Sequence, residues 1–167
     1  MGRKSTKENK NIYQLSRENA GLTREVAQDY TLLSADRIAD IENNKLPRPD
    51  EVVNMAYGYK NPFLCNHYCA NECEIGRDSV APLKKKSLSR ISIEMLNTLN
   101  YLEAEKNRFM EIVEDEKITE DELDDFQDFQ TRFEKMAAII DSLQLWVKQY
   151  ELDGEMPKKI EWWRQPN

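Results

Sequence analysis

The chain has 167 residues, with 24 Lys/Arg against 31 Asp/Glu, a net charge of −7, and 40% hydrophobic residues. This composition is typical of a helix-rich folded protein and excludes a uniformly basic nucleic-acid-binding chain. No apolar run approaches the ~20 residues of a membrane span, and the basic start of the chain lacks the apolar core of a secretory signal. Three clustered cysteines, an odd number, do not form a secreted disulfide framework. We therefore expect a cytoplasmic protein without a membrane segment.

The charge is unevenly distributed along the chain. Residues 1–90 hold 15 Lys/Arg and 12 Asp/Glu, whereas residues 91–167 hold 9 and 19. The acidity thus belongs to the C-terminal half. The N-terminal half is close to neutral, which is compatible with phosphate binding.

Three short helices are predicted near the N-terminus, after a polar and frayed start. The first covers residues 9–20, with Ile12 and Leu15 facing inward, and the stretch 21–49 forms two more, joined by a tight turn. Gly21 suits a left-handed helix end, and Thr23 and Ser34 suit N-cap positions. The side chains expected to face inward are Val26, Ala27 and Tyr30 on the second helix and Ile38 and Ile41 on the third.

The next signals end the third helix and begin a fourth. Asn43-Asn44-Lys45 favours a helix exit, since Asn tolerates the left-handed conformation and Lys suits a helix C-terminus. Pro47 and Pro49 prevent continuation, and Pro49 opens the fourth helix. Its buried stripe is predicted at i, i+3, i+4 and i+7, namely Val52, Met55, Ala56 and Tyr59.

The segments GLTREVA, SADRIADIENNK and PRP, in this order, resemble the Cro-type phage-repressor family of helix-turn-helix proteins, also called XRE, over residues 9–60. Asn44 stands where that family usually has glycine, and the spacing from Ala27 to Ile38 is one residue longer, which predicts an enlarged turn. The resemblance implies a lambda-repressor-like bundle within residues 1–76. It also implies a dimeric, sequence-specific transcriptional regulator that binds double-stranded DNA.

In such proteins the second helix of the motif enters the major groove with its N-terminal residues on base edges. By position, the resemblance implies that Arg37 pairs with guanine and that Asp36 or Asp40 accepts from cytosine. Two aspartates on this face also repel phosphate. An alternative therefore stays open, a protein-interaction module whose motif does not bind DNA and whose acidic C-terminal half binds a partner. The implied DNA-binding residues are Arg24, Ser34, Ala35, Asp36, Arg37, Asp40, Asn43, Lys45 and Arg48.

A cysteine cluster follows in residues 63–76. Cys65, Cys69 and Cys73 are spaced by four, which places them along one face if a single helix carries them all. Thiolates bind zinc and iron well, but three thiolates without a second pair leave a coordination position open. Inward packing of small side chains is therefore favoured over a metal site, and no cofactor is expected.

Residues 77–87 are predicted to be a linker, and residues 88–152 an antiparallel helical hairpin that resembles a coiled coil. Its first helix begins at Leu88 and its second covers 119–150. Three-four alternation predicts the facing seam. The predicted seam residues are Leu88, Met95, Leu99, Leu102, Phe109 and Val113 on the first helix and Phe126, Phe129, Phe133, Met136, Ile140, Leu143, Val147 and Tyr150 on the second.

Apolar residues outside this seam predict the assembly. Ile91, Leu96, Leu145 and Trp146 form a second flank, which we expect to meet another copy in a homodimer. The alternative is that this flank packs on the N-terminal domain of the same chain and the protein is a monomer. In the tail, 153–167, Trp162 and Trp163 are expected to dock on the hairpin, with a contact to a partner protein as the alternative. The single histidine, His67, lacks a nucleophile partner and no phosphate-binding glycine loop occurs, so an enzyme is not expected.

Overall fold

A computed structural model describes residues 9–155, and over this range the chain forms eight α-helices and no β-strand, which confirms the all-α prediction. The predicted start, residues 1–8, and the predicted positions of Trp162 and Trp163 lie outside the described residues. Within that range, no helix combines the length and apolarity needed to cross a membrane. The helices are α1 (Ile12–Asn19), α2 (Arg24–Thr31), α3 (Ala35–Glu42), α4 (Pro49–Gly58), α5 (Phe63–Asn71), α6 (Glu74–Ser79), α7 (Leu88–Val113) and α8 (Leu123–Leu152).

The described chain divides into two compact units. Residues 9–83 and 147–155 make up the first unit, and Lys84–Trp146 makes up the second. The division falls within the predicted linker. The last turns of α8, however, belong to the first unit, where the side-chain amide of Gln149 donates to the carbonyl of Lys60 over 3.0 Å.

The ends of the short helices follow the predicted capping chemistry. Thr23 and Ser34 accept hydrogen bonds from the backbone N–H groups of Val26 and Arg37, and each thereby satisfies a donor that its helix leaves unpaired. Gly21 has φ +73°. Asn44, in the place of the usual glycine, has φ +70°, which confirms its left-handed exit role.

The connection between α2 and α3 consists of residues 32–34. Three residues are an ordinary length for a helix-turn-helix, so the predicted enlargement of this turn is wrong. Leu32 makes the turn with a left-handed backbone, φ +58°, and its side chain is 83% exposed. Leu33 points the other way and is buried. The turn therefore anchors itself through one leucine and presents the other to solvent.

The core of the first unit confirms most of the predicted inward positions. Ala27 is buried, Ile12 packs against the core, and the whole predicted stripe of α4 is buried with Ile38 and Ile41. Leu15, Val26 and Tyr30, by contrast, are exposed, so their inward placement is wrong. On α1 the inward face is instead formed by Tyr13, Gln14, Ser16 and Arg17.

The cysteine segment forms two helices rather than one. The first ends at Asn71, and Cys73 precedes the second with an extended backbone, so the prediction of three cysteines on one helical face is wrong. Gly76 allows the second helix to pack closely against the first. A Cβ atom at this position would lie 2.1 Å from the carbonyl oxygen of Cys69, so only glycine lets α6 pack this closely against α5. The second helix reaches Ser79, and the linker consequently begins later than predicted.

The two long helices of the second unit confirm the hairpin, and Phe129 is buried in the seam as predicted, but other seam positions are shifted. Ile91, Thr98 and Ile112 are buried at intervals that are multiples of seven residues, whereas the predicted Leu99 is 47% exposed. The prediction placed Leu99, the larger neighbour of Thr98, in the buried seam. Thr98 can be buried because its hydroxyl donates to the Glu94 carbonyl over 2.9 Å. On α8 the buried seam residue is likewise Ile139 rather than the predicted Ile140. Ile91 is buried in the seam, so its predicted place in a second apolar flank is wrong.

Contacts between the two long helices define their antiparallel pairing. The Phe109 ring packs against the rings of Phe129 and Phe133, with centroids 4.9 and 5.3 Å apart. The guanidinium of Arg132 lies 4.3 Å from the ring centroid of Tyr101, a cation–π contact. The second helix begins at Leu123, four residues later than predicted.

Candidate nucleic-acid interface

The N-terminal end of α3 is the exposed part of the motif. Ser34 and Asp36 are exposed and Ala35 is half-buried, whereas Ile38 and Ile41 on the opposite face are buried. The Ser34 hydroxyl is occupied as the helix cap, because it accepts from the Arg37 N–H over 3.2 Å. The helix therefore presents one short side chain and one carboxylate where base contacts are implied.

Arg24 belongs to a buried cluster around Glu42. The Glu42 carboxylate, 1% exposed, accepts from Arg17 Nε over 2.5 Å and Nη2 over 3.1 Å, and also from Arg24 Nε over 2.8 Å. Arg17 donates further to the Leu22 carbonyl over 2.6 Å. Two guanidinium groups thus compensate one desolvated carboxylate, which ties together α1, α2 and α3.

Arg37 forms a second ion pair within the bundle. Its Nε and Nη2 atoms donate to the two carboxylate oxygens of Glu51 over 2.8 and 2.7 Å, and Nη2 also donates to the Leu46 carbonyl over 3.1 Å. Glu51 is buried and accepts the N–H of Arg48 over 2.8 Å, which caps α4. The hydrogen bonds from Arg37 lower the pKa of Glu51 to about 2, assisted by that from Arg48. Arg37 is therefore held against α4.

The side chains of the remaining cations of the implied set, Lys45 and Arg48, are both exposed. Lys45 Nζ lies 2.7 Å from Asp40, with side chains 64% and 43% exposed. Arg48 Nη2 lies 3.2 Å from Asp50, and both side chains are more than two-thirds exposed. The same nitrogen lies 3.6 Å from Oε1 of the buried Glu51, a longer contact than the two hydrogen bonds that Arg37 gives this carboxylate. The surface pairs with Asp40 and Asp50 are worth little in water, so either cation can exchange its surface carboxylate for a phosphate. Asn43, also exposed, follows the last turn of α3.

Two classes of cation can thus be distinguished on this motif. Arg24 and Arg37 donate short hydrogen bonds to carboxylates that are almost fully buried. Lys45 and Arg48 are more exposed, and their close partners, Asp40 and Asp50, are surface carboxylates that a phosphate can replace. Sequence reasoning did not identify Glu42 and Glu51 as the partners that make this distinction. The sequence did offer one signal of a buried ion-pair partner. Glu51 is a glutamate that stands beside Val52 in an otherwise apolar stripe.

The motif as a whole is acidic. Residues 21–51 hold four Lys/Arg and seven Asp/Glu, a net charge of −3. Large apolar side chains stand among these charges, since Tyr30 and Leu32 are 59% and 83% exposed. This surface is therefore less cationic than a typical phosphate-binding face.

The cysteines of the first unit are thiols that do not converge with other ligands. Cys65 and Cys69 lie on α5 and Cys73 lies beyond it, and all three are half-buried. Burial is the main cause that raises the pKa of the Cys65 thiol. Among the described residues, no three His, Cys, Asp or Glu side chains are grouped so that they could hold a metal ion.

Comparison of the chain with protein-family models, with curated proteins and with solved structures finds no match in any of the three.

Proposed function

We propose that the protein is a non-enzymatic transcriptional regulator that binds double-stranded DNA through α2 and α3. The exposed N-terminal end of α3 supports this proposal. It follows a three-residue turn and projects from a bundle that buries the opposite face of the helix. This is the arrangement by which a helix-turn-helix presents a recognition helix to the major groove.

The ion pairs suggest which residues contact DNA in this proposal. Lys45 and Arg48 supply phosphate contacts, because they can leave Asp40 and Asp50 at little cost. Ser34, Ala35 and Asp36 remain the candidates nearest the bases, whereas Asn43, at the exit of α3, is a further candidate for phosphate contact. Arg24 and Arg37 orient the helices, since withdrawing either one leaves a buried carboxylate with fewer partners.

Replacing Lys45 and Arg48 by alanine together should weaken binding to all DNA sequences about equally. Each lost phosphate contact should lower the magnitude of the slope of log K against log salt by about one. Fluorescence anisotropy on pooled genomic fragments, across a salt series, measures both quantities. Arg77→Ala, which removes an exposed cation from α6, is the matched control. An unchanged slope in the double variant would contradict the proposed phosphate contacts.

A protein-interaction module is the second candidate function. The net charge of −3 on the motif and the exposed Tyr30 and Leu32 favour this alternative, because they suit a basic, partly apolar protein surface better than phosphate. The same titration distinguishes the two functions. Absence of any DNA binding at low salt would reject DNA recognition and leave this second candidate.

We further propose that the protein is a homodimer that pairs through one side of the hairpin. Leu99 follows the buried Thr98 by one position, and Ile140 follows the buried Ile139 by one. In an antiparallel pair, residues that follow buried positions by one lie on the same side of both helices. Leu99 and Ile140, each more than 40% exposed, therefore border one apolar side that a second copy can cover.

Leu99→Glu should convert the dimer to a monomer, because it places a charge in the centre of the proposed contact. Ile93→Glu is the control, since Ile93 is also exposed but points away from Leu99 around α7. Light scattering at micromolar concentration gives the mass of each variant. A monomeric parent protein, or a dimer that survives Leu99→Glu, would reject this interface.

A further inference from the structure

A cleft in the first unit lies between the start of α1, the exit from α3, and α5. Its volume is about 430 Å³, within the range of sites that bind small organic molecules. Ile41, Leu46 and Pro47 supply apolar walls, and Tyr13, His67 and Glu72 bring polar atoms to the same space. The proposed DNA contacts use only Lys45 among the residues that line it.

Glu72 is the charged group of this cleft. Its Oε2 accepts from the Tyr13 hydroxyl over 2.9 Å, and its Oε1 lies 3.3 Å from His67 Nε2. Its side chain is 21% exposed, and among the described residues no Lys or Arg nitrogen lies within 4.0 Å of it. A carboxylate can accept about four hydrogen bonds, so these two contacts leave acceptor capacity for a ligand.

Tyr13 and His67 fix the orientation of the Glu72 carboxylate. Nδ1 of His67 lies 3.3 Å from the side-chain nitrogen of Asn71, which also donates to the His67 carbonyl over 2.8 Å. These contacts hold the His67 ring so that its Nε2 faces Glu72. Burial and the Glu72 carboxylate both raise the pKa of Tyr13, so this hydroxyl stays protonated.

We propose that this cleft binds a small organic cation with a primary ammonium group. The ammonium takes the remaining acceptor positions of Glu72, which gives a charge-assisted hydrogen bond in a partly desolvated site. The hydrocarbon part of the ligand lies against Leu46 and Pro47. An aliphatic amine fits both the single anion and the apolar walls, whereas a carboxylate ligand meets repulsion from Glu72.

Isothermal titration calorimetry of the full chain with 1,4-diaminobutane, n-butylamine, tetramethylammonium and butyrate tests this inference. We expect the two primary amines to bind at one site, and tetramethylammonium to bind at least tenfold more weakly because it has no N–H donor. Butyrate should not bind. Binding of butyrate in preference to the amines, or no amine binding at millimolar concentration, would overturn the proposal.

Two variants locate the site. Glu72→Gln retains an acceptor for Tyr13 but removes the charge, and it should weaken amine binding at least tenfold. Glu74→Gln, an exposed change two residues away, should leave the affinity unchanged. Lys45→Gln removes from the wall a cation whose side chain is 64% exposed, and it should raise amine affinity about two- to threefold. Amine binding that is insensitive to both Glu72→Gln and Lys45→Gln would place the amine elsewhere and reject the cleft.

Discussion

Glu42→Ala should cost the protein about 3–5 kcal/mol of unfolding free energy. The substitution leaves Arg17, only 6% exposed, without its carboxylate, and an uncompensated buried charge is among the most destabilising changes in a folded protein. It also releases Arg24, which loosens the start of α2. Urea unfolding followed by circular dichroism measures the loss, which is large beside the total stability of an ordinary domain.

Two further variants separate the buried charge from the loss of packing. Arg17→Met combined with Glu42→Leu should recover most of the lost stability, because no charge is left buried. Asp50→Ala breaks a surface pair and should change the unfolding free energy by less than about 0.5 kcal/mol. If Glu42→Ala were as mild as Asp50→Ala, the ion pair around Glu42 would not be holding the three helices together.

The pair of Arg37 and Glu51 should make the first unit sensitive to acid. The pKa of Glu51 is lowered from 4.5 to about 2 by the Arg37 guanidinium, so the folded state holds its carboxylate ionised more strongly than the unfolded chain does. The resulting stabilisation is fully present above pH ~4.5 and is lost as the pH falls toward 2. By linkage it amounts to about 3 kcal/mol.

Glu51→Gln should remove this part of the acid dependence, since glutamine does not titrate. Urea unfolding at pH values from 2 to 6 compares the two proteins, and the difference in their slopes isolates Glu51. Arg37→Ala should likewise destabilise the fold, by about 2–3 kcal/mol, because the buried Glu51 loses its main partner. A parallel pH dependence in parent and Glu51→Gln would contradict the strong coupling of this pair.

The Arg37→Ala variant also tests whether Arg37 contacts a base or instead orients α3. A folded Arg37→Ala protein that loses discrimination between sequences would support the base contact implied by the resemblance. A protein that is less stable but keeps its specificity would support the orienting role suggested by the ion pair. Measuring unfolding and DNA specificity on the same preparation distinguishes these outcomes.

The sequence predicted the fold well where local chemistry determines it. Thr23, Ser34 and Asn44 act through their own backbone neighbours, so their roles could be inferred without a structure. Periodicity likewise located the apolar stripe of α4, Val52, Met55 and Ala56, although it gave no sign that Glu51 beside them is also buried. Both signals are confined to a few consecutive residues.

Prediction failed where a polar side chain was buried. The inward placement of Arg17 on α1, and of Thr98 on α7, depends on partners that hydrophobic periodicity does not register. In each case the predicted inward residue was an apolar neighbour, Leu15 or Leu99. The pairing of Arg37 with Glu51 joins residues 14 apart through a tertiary contact, and spacing alone does not predict such a partner.

The last turns of α8 constrain how the chain can be divided. Residues 147–155 complete the first unit although 63 intervening residues form the second, Lys84–Trp146. The first unit is therefore discontinuous in sequence, and the second is an insertion between its two segments. A fragment ended in the linker would lack the Gln149 contact to Lys60, so shortening the chain is not a neutral way to isolate the helix-turn-helix. Joining residue 83 directly to residue 147 through a short flexible loop would instead preserve both segments of this unit.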